Sequence, residues 1–261
     1  MNTHEIGTAA KALYQALVTR KPIAPLTDSV PEMSISDAYE VQRLMMELRL
    51  RETGEHIVGK KIGITSQAVM DMLNVRQPDF GQLTSGMQFA NGATIPLDGL
   101  IAPKAEGEIA FLLGQDLSGP GLTSQDILDA TECVMPCFEI VDSRVRDWKI
   151  RIQDTVADNA SSGAFVIGEG RVDPRSLDLA GVRMTFERNG EEIGRGLGSA
   201  ALGHPLNAVT WLANQLGELG VSLRAGEIVL SGALSAMVVA RAGDRMRIEL
   251  QGIGSAEVAF A

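Results

Sequence analysis

Beyond residue 55 the chain is a succession of short strand-like runs with only two helical stretches among them, and this pattern constrains the fold more than any other feature. The runs "HIVGKKIGI" (56–64), "GEIAFLL" (107–113), "VMPCFEIVD" (134–142), "GAFVIG" (163–168), "VRMTFERNGEEIG" (182–194), "GEIVLSG" (226–232), "MVVARAG" (237–243), "DRMRIELQG" (244–252) and "SAEVAFA" (255–261) read as short strands. Asn189-Gly190 adds a hairpin signal. Helices interrupt at "TSQDILDATECV", with Thr123 as cap, and at "HPLNAVTWLANQLGEL", where Val209, Leu212 and Leu216 share a face. Regular βαβ alternation is absent. The Gly-rich turn "GRGLGSAALGHP" lacks the G-x-G-x-x-G spacing, which weakens a dinucleotide-binding reading.

The first fifty-odd residues are different in kind. Ala38, Val41, Leu44, Met45 and Leu48 recur at helical spacing behind a Ser36-Asp37 start signal, and Gly54 marks the end. The expected organisation is α+β: a helical N-terminal segment over 1–55, followed by a mixed or antiparallel sheet body over 56–261.

At 45% hydrophobic and 21% charged over 261 residues, the chain has the composition of a soluble globular protein. No run approaches the roughly 18 apolar residues of a membrane span, and the N-terminus has no basic region followed by an apolar core, so a cytoplasmic location is expected. A formal charge of -10 argues against nucleic acid as a partner and for small molecules or other proteins. Cys133 and Cys137, the only cysteines, lack a second Cys or His pair and read as core residues. His4, His56 and His204 sit beside no catalytic motif, and His204-Pro205 reads as a helix start. There is no G-x-S-x-G element.

The chemistry lies in carboxylates. In "PKAEGEIAFLL", Glu106 and Glu108 point the same way on a strand, onto the side of Ala110 and Leu112, while Ile109, Phe111 and Leu113 fill the other. A solvated strand start explains this pair equally well. Glu139, however, lies mid-run in "VMPCFEIVD", where a lone ionised carboxylate is costly and needs a cation. Three oxygen donors without a His or Cys cluster fit a hard divalent ion, Mg²⁺ or Mn²⁺; a buried pair with Arg144 or Lys61 is the structural alternative.

"GKKIGITSQAVMDMLNVRQPDFGQLTSGM", "KAEGEIAFLL", "PCFEIVDSRVRDWKIRIQDTVADNAS" and "LGSAALGHPLNAVTWLAN" together resemble the 2-keto-4-pentenoate hydratase (2-hydroxypenta-2,4-dienoate hydratase) family of the fumarylacetoacetate hydrolase superfamily, over nearly the whole chain. The related 4-oxalocrotonate decarboxylases share the metal residues and "VADNAS"; "GKKIGITS", "QPDFG" and "DWKIRIQDT" are closer to the hydratases. The resemblance implies a distorted β-roll or barrel, with Glu106, Glu108 and Glu139 as ligands of Mg²⁺ or Mn²⁺ and no organic cofactor. It implies hydration of 2-hydroxypenta-2,4-dienoate to 4-hydroxy-2-oxopentanoate in meta-cleavage catabolism, with the decarboxylase or a related C–C hydrolase as the alternative. Lys61 and Asp79 become candidates for proton transfer and Ser161 for orienting the substrate carboxylate or a water, with Asp158 and Asn159 supporting its loop. Lys61 shares its strand face with Gly59 and Gly63, small neighbours that would admit a ligand; Lys60 faces Val58 and Ile62. Asp79 in "QPDFG" reads as a loop residue between Pro78 and Gly81. Trp148 is a candidate pocket wall. A homo-oligomer is expected, and a neighbouring decarboxylase or aldolase is a candidate partner.

Overall fold

The computed structural model describes the backbone of residues 1–261 and the side chains of all but residues 68, 72 and 73. Helices lead, as expected. α1 (Thr3–Thr19) is opened by a reciprocal pair between Asn2 and Glu5, and after the single turn of α2 (Leu26–Ser29) comes α3 (Ile35–Thr53). The cap of α3 is Ser34, two residues before the expected signal, and Asp37 is its reciprocal partner. Gly54 ends the helix at φ +73°, as its sequence position suggested. Ala38, Val41 and Met45 share a buried cluster with Ile6, Ala10 and Leu13 of α1.

There follow β1 (Ile57–Gly63), α4 (Gln67–Leu73), β2 (Asp79–Thr84), β3 (Gln88–Phe89), β4 (Thr94–Ile95), β5 (Lys104–Leu113), α5 (Ser124–Ala130), β6 (Thr131–Val141), α6 (Ile152–Ala157), β7 (Ser162–Ile167), β8 (Arg183–Arg188), β9 (Glu191–Leu197), α7 (Pro205–Glu218), β10 (Ile228–Leu230), β11 (Val238–Val239), β12 (Arg245–Leu250) and β13 (Gly254–Phe260). An 8-stranded sheet runs β2-β1-β10-β5-β6-β7-β3 with β11 beside β5, and a 5-stranded sheet runs β4-β13-β12-β8-β9. Parallel pairs β1/β10, β3/β7 and β4/β13 sit among antiparallel ones, giving the mixed β body expected.

The structure departs from the sequence reading where elements are short. α4 and α6 have 7 and 6 residues, too few for a helical period to declare itself. The helix read through residue 134 stops at Ala130, because Thr131 turns to extended backbone and Thr131–Val134 joins β6. Asp79 is not in a loop: it opens β2, where Gly81 pairs with Lys61. A Cβ on Gly81 would lie 2.4 Å from Asn159 O, so this glycine admits a neighbouring backbone and makes no turn. The glycines beside Lys61 likewise serve the protein rather than a ligand, since a Cβ on Gly59 would meet Ile228 O and one on Gly63 the Asp79 carboxylate. A register shift between Ile57 and Gly59 also breaks the face assigned to Lys60, placing Val58 with the Leu83–Met135 cluster while Ile62 lies in the main core.

The pairing of β5 with β6 explains the sequence "EGE". Glu106 stands opposite Glu139 and Glu108 opposite Cys137 in this antiparallel pair, so the three glutamates share one face. On the other face, Ile109, Phe111 and Leu113 enter the main core. Gly107 lies between the glutamates on that core face, where a Cβ would meet Met184 Sδ at 2.5 Å, so its missing side chain lets the second sheet close against the first. Phe138 and Phe186 complete this contact edge to face, 5.5 Å apart.

Candidate active site

Lys61 lies on β1, three strands from Glu139 on β6, about 14 Å away in a flat sheet. Its Nζ is nevertheless 3.1 Å from Glu139 Oε1, so the two long side chains span the intervening strands and meet on one floor. Of the two cations considered for Glu139, Lys61 is the partner; Arg144 pairs with Asp158. Oxygens of Glu106, Glu108 and Glu139 lie within 4.8 Å of one another. Gly232 N donates to Glu108 Oε2 at 2.7 Å, which fixes that carboxylate and leaves its second oxygen free.

That free oxygen is one of several. Among the described residues, Glu108 Oε1, both Glu139 oxygens and Asp79 Oδ1 are buried without a hydrogen-bond partner, Glu139 Oε1 having only the ion pair with Lys61. Four carboxyls thus face the Lys61 ammonium, with Lys104 acting on Glu106 from the cavity side, so negative charge is still in excess. Burial, and then the charge of Glu139, pushes Glu106 up to about 7; burial, Glu139 and Glu106 raise Glu108 well above the carboxylate range. Burial raises Glu139 against the opposing pull of Lys61. For Lys61 itself burial acts downward, but the surrounding carboxylates outweigh it and hold the ammonium charged. The donor set, the unpartnered oxygens and the excess of negative charge all fit a hard divalent cation bound by Glu106, Glu108 and Glu139.

Above this floor opens a cavity of about 1010 Å³, bordered by Lys61, Asp79, Glu106, Trp148 and Ser161 among others, with Ile64 and Leu234 on its apolar wall. Asp79 is buried, raised by that burial with Lys61 opposing, and accepts from Thr155 Oγ1 at 3.3 Å. Thr155 Oγ1 lies 3.4 Å from Ser161 Oγ, which is also 3.4 Å from Asp158 Oδ2. The structure therefore brings together all six residues singled out in the sequence. Sequence reasoning missed Thr155, which links Asp79 to Ser161 from α6, and Gly232, whose role is played by a backbone N–H. Gly232 has no side-chain signal, and the Thr155 hydroxyl sits on a helix too short to be read from the sequence. Trp148 does wall the cavity, with its Nε1 donating to Ala102 O and Lys104 Nζ 4.2 Å from its ring centre. His204 caps α7 by accepting from Leu206 N, and Cys137 is a buried free thiol.

Residues 62–261 match the family model described as fumarylacetoacetate (FAA) hydrolase C-terminal. The 2-hydroxyhexa-2,4-dienoate hydratase of Comamonas testosteroni is 56% identical over 258 residues, covering 98% of this chain and 97% of that protein. The 2-keto-4-pentenoate hydratase of Paraburkholderia xenovorans is 48% identical over 260 residues, covering 100% of this chain and 96% of the other. Among solved structures, the 4-oxalocrotonate decarboxylase of Pseudomonas putida, complexed with magnesium and adipate, superposes with a TM-score of 0.96 at 34% identity, covering 100% of this chain and 99% of that one.

Proposed function

Because this chain belongs to the fumarylacetoacetate hydrolase family, among its 2-keto-4-pentenoate hydratases, we propose that it is a hydro-lyase that adds water to 2-hydroxypenta-2,4-dienoate, giving 4-hydroxy-2-oxopentanoate in meta-cleavage catabolism. The observation that carries the reading is 56% identity over nearly the whole chain with a named hydratase. We propose Mg²⁺ or Mn²⁺ as the ion, held by Glu106, Glu108 and Glu139; when bound, it supplies Lewis acidity toward the substrate's carboxylate and C2 oxygen. The magnesium in the decarboxylase complex supports that choice.

The protein's own groups divide the remaining work. Lys61, whose Nζ lies on the floor beside Glu139, serves in proton transfer to and from the substrate. Asp79, which burial makes readier to hold a proton, exchanges protons with the substrate carbon chain as it is tautomerised at C5 and hydrated across C3 and C4. Ser161 Oγ orients the substrate carboxylate or the incoming water, and the Ile64 and Leu234 wall keeps bulk water from the conjugated chain. No described helix is long and apolar enough to cross a membrane. A cytoplasmic homo-oligomer, in contact with a decarboxylase or aldolase acting on neighbouring intermediates, completes the proposal.

The fold similarity to a decarboxylase gives the alternative its footing. Product analysis by NMR separates the two. The expected result is 4-hydroxy-2-oxopentanoate from the five-carbon dienol with Mg²⁺, and no CO₂ from 2-oxo-3-hexenedioate. CO₂ release from the dicarboxylate without hydration of the dienol would replace the hydratase reading by the decarboxylase one.

A further inference from the structure

Backbone strain in this protein gathers at the cavity. Ile64 (φ 57°), Trp148 (φ 56°), Ala160 (φ 49°) and Ser161 (φ 53°) all border it in the left-handed region, which residues bearing a Cβ seldom enter. Asn159 (φ 54°) precedes the last two, so three consecutive non-glycine residues are left-handed, and all three are buried. Of these only asparagine tolerates the conformation readily. Something must hold the turn.

Arg144 is placed to do so. It is the largest fully buried side chain, and Asp158, its ion-pair partner, is equally inaccessible. Its Nε donates to Asp158 Oδ1 at 2.5 Å and its backbone N to Asp158 Oδ2 at 2.9 Å. Nη2 donates to the carbonyl of Asp158, just before the turn, while Nη1 donates to the carbonyls of Ser162, just after it, and of Asp142. One planar guanidinium thus ties together both ends of the left-handed turn, a task a lysine's single nitrogen performs poorly. Asn159 fixes the front of the turn by exchanging two hydrogen bonds with the backbone of Gln82 on β2.

We propose that Arg144, through Asp158, is the positioning residue that holds the turn Asn159–Ser161 left-handed and so presents Ala160 and Ser161 to the substrate. The inference rests on the substrate-facing reading of Ser161 given above, and the test separates the two. Arg144→Lys keeps a charge for Asp158 but forfeits the planar fork. Its kcat should fall about 10–100-fold, the scale expected from misplacing a reacting group. Adding Ala160→Gly, which accepts positive φ without strain, should recover most of that loss without restoring the guanidinium. Leu212→Ala, a core change on α7, serves as a comparator matched for loss of Tm and should leave kcat unchanged well below its melting point.

Wild-type kcat in Arg144→Lys, a loss shared by Leu212→Ala, or a loss untouched by Ala160→Gly would each overturn the proposal. If Ser161→Ala alone turns over like wild type while Arg144→Lys is impaired and rescued, the reading of Ser161 falls and the positioning role stands. If Arg144→Lys does not fold, Asp158→Asn, which retains an acceptor oxygen, replaces it in the same comparison. Failure of both to fold even with Ala160→Gly would assign the pair to the fold alone and overturn the proposal.

Discussion

Two buried ion pairs lie in this protein at nearly the same depth. Lys61–Glu139 has side-chain exposures of 3% and 1%, and Arg144–Asp158 of 1% and 0%. They differ in what else each charge touches. Arg144 and Asp158 are saturated by backbone carbonyls and N–H groups, whereas both Glu139 oxygens lack a hydrogen bond and Lys61 is shared among carboxylates. A pair whose hydrogen bonds close on themselves fixes backbone. A pair left open toward a cavity is poised to bind and to exchange protons.

The comparison breaks most visibly at the open cluster. Glu106→Gln or Glu108→Gln should reduce turnover below detection while leaving the fold intact, since each change removes one charged ligand but keeps the shape. Treatment with EDTA should do the same reversibly. Full turnover by chelator-treated protein, measured by loss of the dienol absorbance, would return the glutamates to a structural role. Next in size is Lys61→Met, expected to lower kcat by about 10²–10⁴ with little change in Mn²⁺ affinity. Near-normal turnover and normal solvent-deuterium exchange at C3 and C5 would remove Lys61 from the proton traffic.

How much of this was legible in the sequence depends on whether a signal lives in side chains or in backbone. Period-2 alternation placed Glu106 and Glu108 on one strand face, and the lone glutamate of "PCFEIVD" pointed to a cation, because a buried carboxylate announces its own cost. The strand order that puts Lys61 within reach of Glu139, the register shift that turns Val58 away and the N–H of Gly232 on Glu108 are register and backbone effects with no local pattern. The loop expected around Asp79 gives way to β2 for a related reason. Pro78 and Gly81 are turn formers in isolation, and only the approach of Asn159 explains a glycine within β2. The helices α4 and α6 were too short to read, yet α6 supplies Thr155 to the site.

Stability sharpens the same contrast. Arg144→Met strands Asp158 among groups arranged for an ion pair and should cost about 3–5 kcal/mol in urea unfolding. In metal-free protein Lys61→Met should cost less, about 1 kcal/mol, because burial lets Glu139, like Asp158, take up a proton once its partner is gone, whereas loss of Arg144 also leaves the carbonyls of Asp142, Asp158 and Ser162 without their donor. Equal losses would mean that both pairs are structural. The pH dependence carries the argument further. Glu106 is pushed from 4.5 to about 7 on folding, so the metal-free fold takes up a proton between those values. That stabilisation is fully present below pH 4.5 and is lost as pH rises through about 7. Saturating Mn²⁺ competes with the same proton, so its affinity should rise over this window and the fall in stability should disappear. A metal-free protein whose stability is flat from pH 5 to 7, followed by urea titration at each pH, would contradict the raised carboxyl.

The smallest effect on turnover belongs to the lysine next door. Lys60 Nζ lies 2.9 Å from Glu227 Oε1, with the two side chains 8% and 14% exposed, and Glu227 also accepts from Arg224 N. This pair sits away from the glutamate floor, its carboxylate keeps a second partner, and Lys60 does not border the cavity. Lys60→Met should therefore change kcat by no more than about twofold, although removing one partner of a largely buried pair should cost about 1–3 kcal/mol of stability. The neighbours share β1 and its hydrogen bonds, so damage to the strand would reach both variants, whereas chemistry at Nζ can reach only one. Comparable losses of kcat in Lys60→Met and Lys61→Met would assign the effect to β1 itself. A deep loss in Lys61→Met beside a nearly silent Lys60→Met would locate it at the ammonium that faces Glu139.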